Sequence, residues 1–171
     1  MKKVVKFGGS SLASAEQFTK VKDIICSDTD RRYVVPSAPG KCFSGDTKVT
    51  DMLYTCYAAA EQDEDFSDKL AKIQARYNEI INGLGLTLSL DTQFEEIASK
   101  FVAKAGKEYA ASRGEYLNGI IMANYLGYEF IDAAEVIRFN HDGYFNAAVT
   151  NKIMSKRLEK VESAVIPGFF G

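Results

Sequence analysis

A lysine, two glycines and a serine stand together near the start of the chain, in Lys6-Phe7-Gly8-Gly9-Ser10-Ser11. The apolar run that carries the lysine breaks into Gly-Gly-Ser-Ser and then into a helical pattern. Glycine lets backbone N–H groups come close to a bulky group. The positive end of a helix just beyond favours an anion. These residue types suit a phosphate, with Lys6 as a cation at the mouth of the loop. A tight turn that needs glycine for its dihedrals is the competing reading. Two common nucleotide signatures are absent. Gly40-Lys41 is followed by Cys42 and lacks the upstream glycine of a G-x-x-x-x-G-K-[ST] loop. Gly83-Leu84-Gly85 sits at a helix end without the third glycine of G-x-G-x-x-G. A phosphate held at Gly8 and Gly9 needs another architecture.

The elements that must position this loop follow from pattern. Val4, Val5 and Phe7 form a short strand by composition. Ser14 with Gln17 reads as a capping box, and Phe18, Val21 and Ile25 share the helical face that follows. Residues 8–13 are then a strand-to-helix loop. A second strand is expected over 31–35, ending in PSAPGKCFSGDTKVT, a polar loop with two prolines and two glycines. Helical patterns follow from about Thr50 (Met52, Leu53, Cys56, Tyr57, Ala60) and over 66–84, closed by Gly83 and Gly85. Another is expected from a capping box at Thr92 and Glu95, and another around Leu117, Ile120, Ile121 and Asn124, ended by Gly127. Strands are expected over 128–131 and, more weakly patterned, 136–139. A helix over 148–161 with Val149, Ile153 and Leu158 inward precedes a last apolar strand in SAVIPGFFG.

Strands alternating with helices imply an α/β fold, a mostly parallel sheet with helices on both faces. Several helices lie between the second and third strands. The last strand reaches Gly168-Phe169-Phe170-Gly171, whereas a buried parallel strand normally feeds a loop and a covering helix. Ligands of open α/β sheets bind at the carboxyl ends of strands. The fold is therefore expected to be incomplete at its C-terminal end, and the chain to be a fragment of a longer protein.

Composition removes other classes. The 171 residues suffice for one domain with a proper core. Lys and Arg number 21 against 23 Asp and Glu, a net charge of −2 that carries no nucleic-acid footprint. No apolar run approaches the ~20 residues of a membrane span, and Lys2 and Lys3 precede no long apolar leader core. Cys26, Cys42 and Cys56 are widely spaced, and the chain has one histidine, so no metal site is expected. Each cysteine is expected as a small buried hydrophobe, in a reduced, cytoplasmic protein.

The opening block, Lys6-Phe7-Gly8-Gly9-Ser10-Ser11, resembles the signature of aspartate kinases in the amino-acid kinase superfamily. Further blocks resemble that family in the same order. They are Val34-Val35-Pro36-Ser37-Ala38-Pro39-Gly40, then Thr50-Asp51-Met52-Leu53, then Ser112-Arg113-Gly114-Glu115 with Phe130-Ile131-Asp132-Ala133 after it, and Val165-Ile166-Pro167-Gly168-Phe169-Phe170-Gly171. The resemblance implies transfer of the γ-phosphoryl of ATP, with Mg2+, onto the β-carboxylate of L-aspartate, a step of lysine and threonine biosynthesis. Both substrates are anionic, so the protein must supply positive charge and oriented donors. By that resemblance Lys6 reaches the transferring phosphoryl, and Gly8, Gly9 and Ser10 bind phosphate oxygens. Glu115 receives the α-ammonium of aspartate; Ser37 and Thr50 are hydroxyl-bearing substrate contacts. Simpler roles stand beside these: Glu115 as an acid in a helix's first turn, Ser37 as a loop hydroxyl, Thr50 as an N-cap. His141 is expected at the surface.

The resemblance also implies what is missing. The family's downstream glycine-rich segment, adenine-binding half and regulatory ACT domains have no counterpart in residues 1–171, and the loop over 41–48 is longer than in some members. Residues 1–171 then form the aspartate-binding, phosphate-loop part of a catalytic domain, inactive alone, from a protein that is a homo-oligomer when whole. A sister kinase acting on glutamate, acetylglutamate, carbamate or UMP, or a non-catalytic amino-acid-binding module, are the competing readings.

Overall fold

A computed structural model describes residues 1–170; Gly171, the last residue of the block that begins at Val165, lies outside the described residues. Four strands, β1 (Lys3–Phe7), β2 (Arg31–Pro36), β3 (Glu129–Phe130) and β4 (Ala164–Val165), pair in parallel in the order β1-β2-β4-β3. Among the described residues there are seven α-helices: α1 (Ala15–Cys26), α2 (Val49–Glu61), α3 (Ser67–Gly83), α4 (Asp91–Val102), α5 (Lys107–Leu126), α6 (Ala133–Val136) and α7 (Ala147–Leu158). Helices α2 to α5 all fall between β2 and β3 in sequence.

Successive side chains of a strand point to opposite faces, and here the two faces meet different cores. Val34 and Val165 join Leu12, Phe18, Leu53, Tyr77 and Leu117, in a core built from α1 to α5. Their neighbours Tyr33 and Ala164 join Ile131 and Val136, against which Ile153 and Leu158 of α7 pack. The expected parallel sheet with helices on both faces is what forms. Burial of the large side chains drives this: Phe18, Tyr57, Tyr77 and Phe101 lose essentially all contact with water, at about 1.5–3 kcal/mol for each large apolar group.

Local signals act as their chemistry dictates at several ends. Ser14 caps α1, its hydroxyl accepting the Gln17 N–H at 3.4 Å. Gly127, at φ 70°, closes α5 in the left-handed region that glycine enters without strain. Other expectations are corrected. Helix α4 begins at Asp91 without a side-chain cap, so Thr92 lies inside it and forms no capping box. Thr50 caps nothing: Lys48 is the N-cap of α2, and its side chain makes no capping bond. Residues 136–139 do not form a strand. Asp132 caps the one-turn α6, accepting the Ala134 N–H at 3.0 Å, and Phe139 makes only an isolated antiparallel bridge to Phe145. In α7 Thr150 is the buried residue, while Val149 is exposed. Only Cys56 is a buried hydrophobe; Cys26 and Cys42 are exposed, and all three are free. His141 is exposed, as expected. No helix among the described residues is long and apolar enough to cross a membrane.

Candidate active site

Parallel pairing sets the site. Lys6 stands opposite Val35 and Phe7 opposite Pro36, so β1 and β2 end together. The Ser37 N–H donates to the Phe7 carbonyl at 3.0 Å, and the Gly40 N–H to the Gly9 carbonyl at 2.8 Å. The two loops that follow the strands therefore lie backbone to backbone. A Cβ on Gly9 would stand 2.7 Å from the Ala38 carbonyl oxygen, and one on Gly40 would stand 2.6 Å from the Gly9 carbonyl carbon. Only glycine fits either place. Gly8 has open space around its Cα, so close approach is a need of Gly9 and not of Gly8. Residues Gly9–Leu12 make one 3-10 turn leading to α1.

A cleft of about 510 Å3 opens at this edge, lined by Gly9, Ser10, Ser37, Thr50 and Glu115 together with the exposed Lys41 and Lys48. Five of the seven residues singled out in the sequence thus share one cavity, though they come from four separate segments. Lys6 and Gly8 do not line it. Lys6 is exposed on the edge strand β1. It differs from its neighbours: Lys2 donates to the Tyr33 hydroxyl and Lys3 pairs with Asp28, whereas Lys6 enters no ion pair among the described residues. Its charge nevertheless reaches Glu115, whose carboxyl it draws toward ionisation.

Glu115 is not in a first turn. It is the ninth residue of α5, whose flanking residues are buried on nearly every side. Gly114 lets α5 press on the loop after β2, since a Cβ there would lie 2.8 Å from the Ala38 Cβ. The buried Tyr77 hydroxyl holds the same turn by donating to the Gly114 carbonyl at 2.8 Å. Burial pushes the Glu115 carboxyl up from the ordinary 4.5; Lys6 and the amides of Gly168 and Phe169 pull against it. Those amides close no hydrogen bond to Oε2, which is buried without a partner. An acceptor left in that condition is costly, and a bound ammonium would satisfy it. Arg113 and Ser112 of the same block bond to each other. Arg113 is stacked between the Tyr109 and Tyr116 rings, 4.5 Å from each centroid, and donates to the Ser112 hydroxyl.

Ser37 is half-buried, and its carbonyl accepts a 2.7 Å hydrogen bond from Asn118 Nδ2. Asn118 is wholly buried, one turn beyond Glu115 on α5. Sequence reasoning missed it. The available signal was an amide set among Leu117, Ile120 and Ile121, a place where a polar side chain needs a partner. Thr50 is half-buried in the first turn of α2, its hydroxyl uncommitted to capping. A second hollow, of about 470 Å3, lies at the amino-terminal ends of β3 and β4 and contains none of these residues. Among the described residues no group of three or more His, Cys, Asp or Glu side chains could hold a metal ion.

The arrangement is a cleft whose lining combines a glycine turn, two exposed lysines and a half-buried carboxylate with one partnerless oxygen. It suits a ligand that carries phosphate or carboxylate at one end and an ammonium at the other. Comparison with known proteins gives the same direction. Aspartokinase 3 of Bacillus subtilis (strain 168) is 35% identical, across 99% of this chain and 40% of its own length. The aspartokinase of Chlamydia pneumoniae is 29% identical, across 100% of this chain and again 40% of its own length. The crystal structure of Clostridium acetobutylicum aspartate kinase superposes with a TM-score of 0.94 at 46% identity, covering 99% of this chain and 39% of that one. Escherichia coli aspartokinase III in complex with aspartate and ADP shares the fold, with a TM-score of 0.78 at 22% identity over 98% of this chain and 40% of that one. The chain thus spans about two fifths of the length of the relatives it matches. The profile of the Amino acid kinase family matches residues 1–171 without remainder, and the chain belongs to that family.

Proposed function

We propose that residues 1–171 are the aspartate-binding, phosphate-loop part of an aspartate kinase. The whole enzyme would move the γ-phosphoryl of ATP onto the β-carboxylate of L-aspartate, giving 4-phospho-L-aspartate and ADP. The observation that carries this reading is the shared cleft: the Gly9 turn and the partnerless Oε2 of Glu115 line one cavity. The 35% and 46% identities to an aspartokinase and an aspartate kinase support the choice among sister substrates.

On this reading Glu115 takes the α-ammonium of aspartate, with Ser37 and Thr50 as hydroxyl partners. A β-carboxylate oxygen attacks the γ-phosphorus, and the bond to the oxygen bridging to the β-phosphate breaks. Negative charge builds on the equatorial oxygens in transit. The amides of the Gly8-Gly9-Ser10 turn and the ammonium of Lys6 are the donors at hand for it. A unit charge pair at ~4 Å is worth about 4 kcal/mol at an effective dielectric of ~20. Half of that already exceeds tenfold in rate. Open space at Gly8 leaves the turn room for a phosphate, and the bare Gly9 lets the turn close on the loop after β2. The Mg2+ that accompanies ATP has no fitting ligand cluster among the described residues, and no step is assigned to it here. The reading carries with it a cytoplasmic homo-oligomer serving lysine and threonine biosynthesis.

The test is a coupled assay of ADP release by the whole enzyme, with aspartate, glutamate and acetylglutamate compared. Turnover with aspartate at a KM well below that of the others is the expected result. Turnover with another acid, or none, overturns the reading.

A further inference from the structure

The loop joining β2 to α2 supplies much of the cleft wall, yet most of residues 41–48 are exposed, Asp46 being the exception. What shapes this loop is one arginine from another element. Arg76 of α3 brings Nη2 to 2.7 Å from Asp46 Oδ2, 2.9 Å from the Gly40 carbonyl and 3.1 Å from Cys42 Sγ. Asp46 in turn accepts the Cys42 N–H at 2.8 Å and the Thr47 N–H at 2.8 Å, which draws the loop closed across its neck. The Cys42 thiol donates to the Ala13 carbonyl at 3.1 Å, tying the loop to the segment ahead of α1. The two charged side chains are each only 13% exposed. Arg76 Nε is buried without a partner.

The consequence lies at Gly40. Its carbonyl is held by Arg76, and its N–H is the group that bonds to Gly9. One residue therefore separates the arginine from the glycine contact on which the phosphate turn rests. A largely buried ion pair returns little net stability compared with an apolar replacement, so its effect must be sought in geometry. We infer that Arg76, clasped to Asp46, is a positioning residue that holds the 40–48 loop against the Gly9 turn and so sets the shape of the cleft for its amino-acid substrate. The guanidinium and the Cys42 amide hold the Asp46 carboxyl well below the usual carboxylate range, so the clasp stays ionised at neutral pH. The inference rests on the reading of the cleft as an amino-acid kinase site, but its first test does not.

Cys42 reports on the clasp directly. In a Cys26→Ser background, which removes the other exposed thiol of residues 1–171, the rate of Cys42 modification by a disulfide reagent is followed on the Cys42 peptide by mass spectrometry of the whole protein. Arg76→Met and Asp46→Asn are each expected to speed it about tenfold, and the double variant no more than either alone, as for two members of one unit. Both single variants are also expected to raise the KM for aspartate roughly tenfold with a smaller fall in kcat, since ~1 Å of misplacement suffices for effects of this size. Unchanged Cys42 reactivity in Asp46→Asn, the milder variant, overturns the inference, as does an unchanged KM where reactivity rises. A wild-type enzyme inert toward aspartate would sink the proposed function while the thiol test still decides on the clasp.

Discussion

Replacing Gly9 by alanine separates the close-contact role of the glycine pair from simple turn chemistry. The new Cβ would stand 2.7 Å from the Ala38 carbonyl oxygen, where ordinary contact begins near 3.4 Å. The two loops must part by the difference, 3.4 − 2.7 = 0.7 Å. The three nearest atoms, the Ala38 oxygen and the Gly40 nitrogen and Cα, are all backbone, so no side chain can swing aside. That displacement would stretch the 2.8 Å Gly40–Gly9 hydrogen bond to the edge of bonding range. The lost bond costs about 0.5–1.5 kcal/mol, and the forced separation about 1–3 kcal/mol. Restricting the unfolded chain returns about 0.4–1 kcal/mol. The net is a loss of about 0.5–4 kcal/mol, or roughly 1–16 °C in Tm for a domain of this size. Gly8→Ala is the built-in control. Gly8 is extended, at φ −77° and ψ 165°, and a Cβ there meets nothing within 4 Å. Thermal unfolding of both variants decides the matter. Equal Tm values would refute the argument from close approach. In the whole enzyme the same displacement of a phosphate-facing amide should lower kcat on the order of tenfold or more.

Glu115 gives a pH dependence whose sign is fixed by burial. Its folded value is raised above 4.5, and binding an ammonium requires the ionised form. The KM for aspartate should therefore climb as pH falls toward this raised value, at a higher pH than for an ordinary carboxylate, and Lys6→Met should move that climb to higher pH still by removing the offsetting charge. The same shift means that the folded chain holds this proton more tightly than the unfolded one. Glu115's contribution to stability thus declines as pH rises through and above 4.5, and Glu115→Gln should raise Tm at pH 7 while raising the KM. A lowered Tm for that variant would contradict the burial argument. Asn118→Ala removes the bond to the Ser37 carbonyl and leaves a void, for a loss of about 1–3 kcal/mol by denaturant unfolding. It should also raise the KM for aspartate with kcat nearly unchanged.

The four strands that form and the turn after β1 were legible because their signals are local. Val4, Val5 and Phe7 break at a glycine pair, and Ser14 lies three residues ahead of the amide it caps. Glu115 was identified by resemblance, but its setting was not legible. The polar and glycine residues at 112–115 interrupt the hydrophobic period, and Glu115 reads as an acid in a helix's first turn. In the fold they sit inside α5, because that helix is buried all round and shows no single apolar face. Thr92 and Glu95 have the spacing of a capping box, yet the helix already starts at Asp91. The pairing of Arg76 with Asp46 joins residues that no local pattern links. Asn118 is one amide in an apolar run, and its role exists only once β2 has delivered the Ser37 carbonyl to it.

The central claim is that the Lys6 ammonium acts on the phosphate in transit, beside a cleft that Glu115 lines. The most direct measurement is steady-state kinetics of aspartate-dependent ADP release by the whole enzyme carrying Lys6→Met, at an alkaline pH where Glu115 is ionised in both enzymes. The account predicts a fall in kcat of tenfold or more with the KM for aspartate within about twofold of wild type. A wild-type kcat in that variant, or a loss confined to the KM, would contradict it.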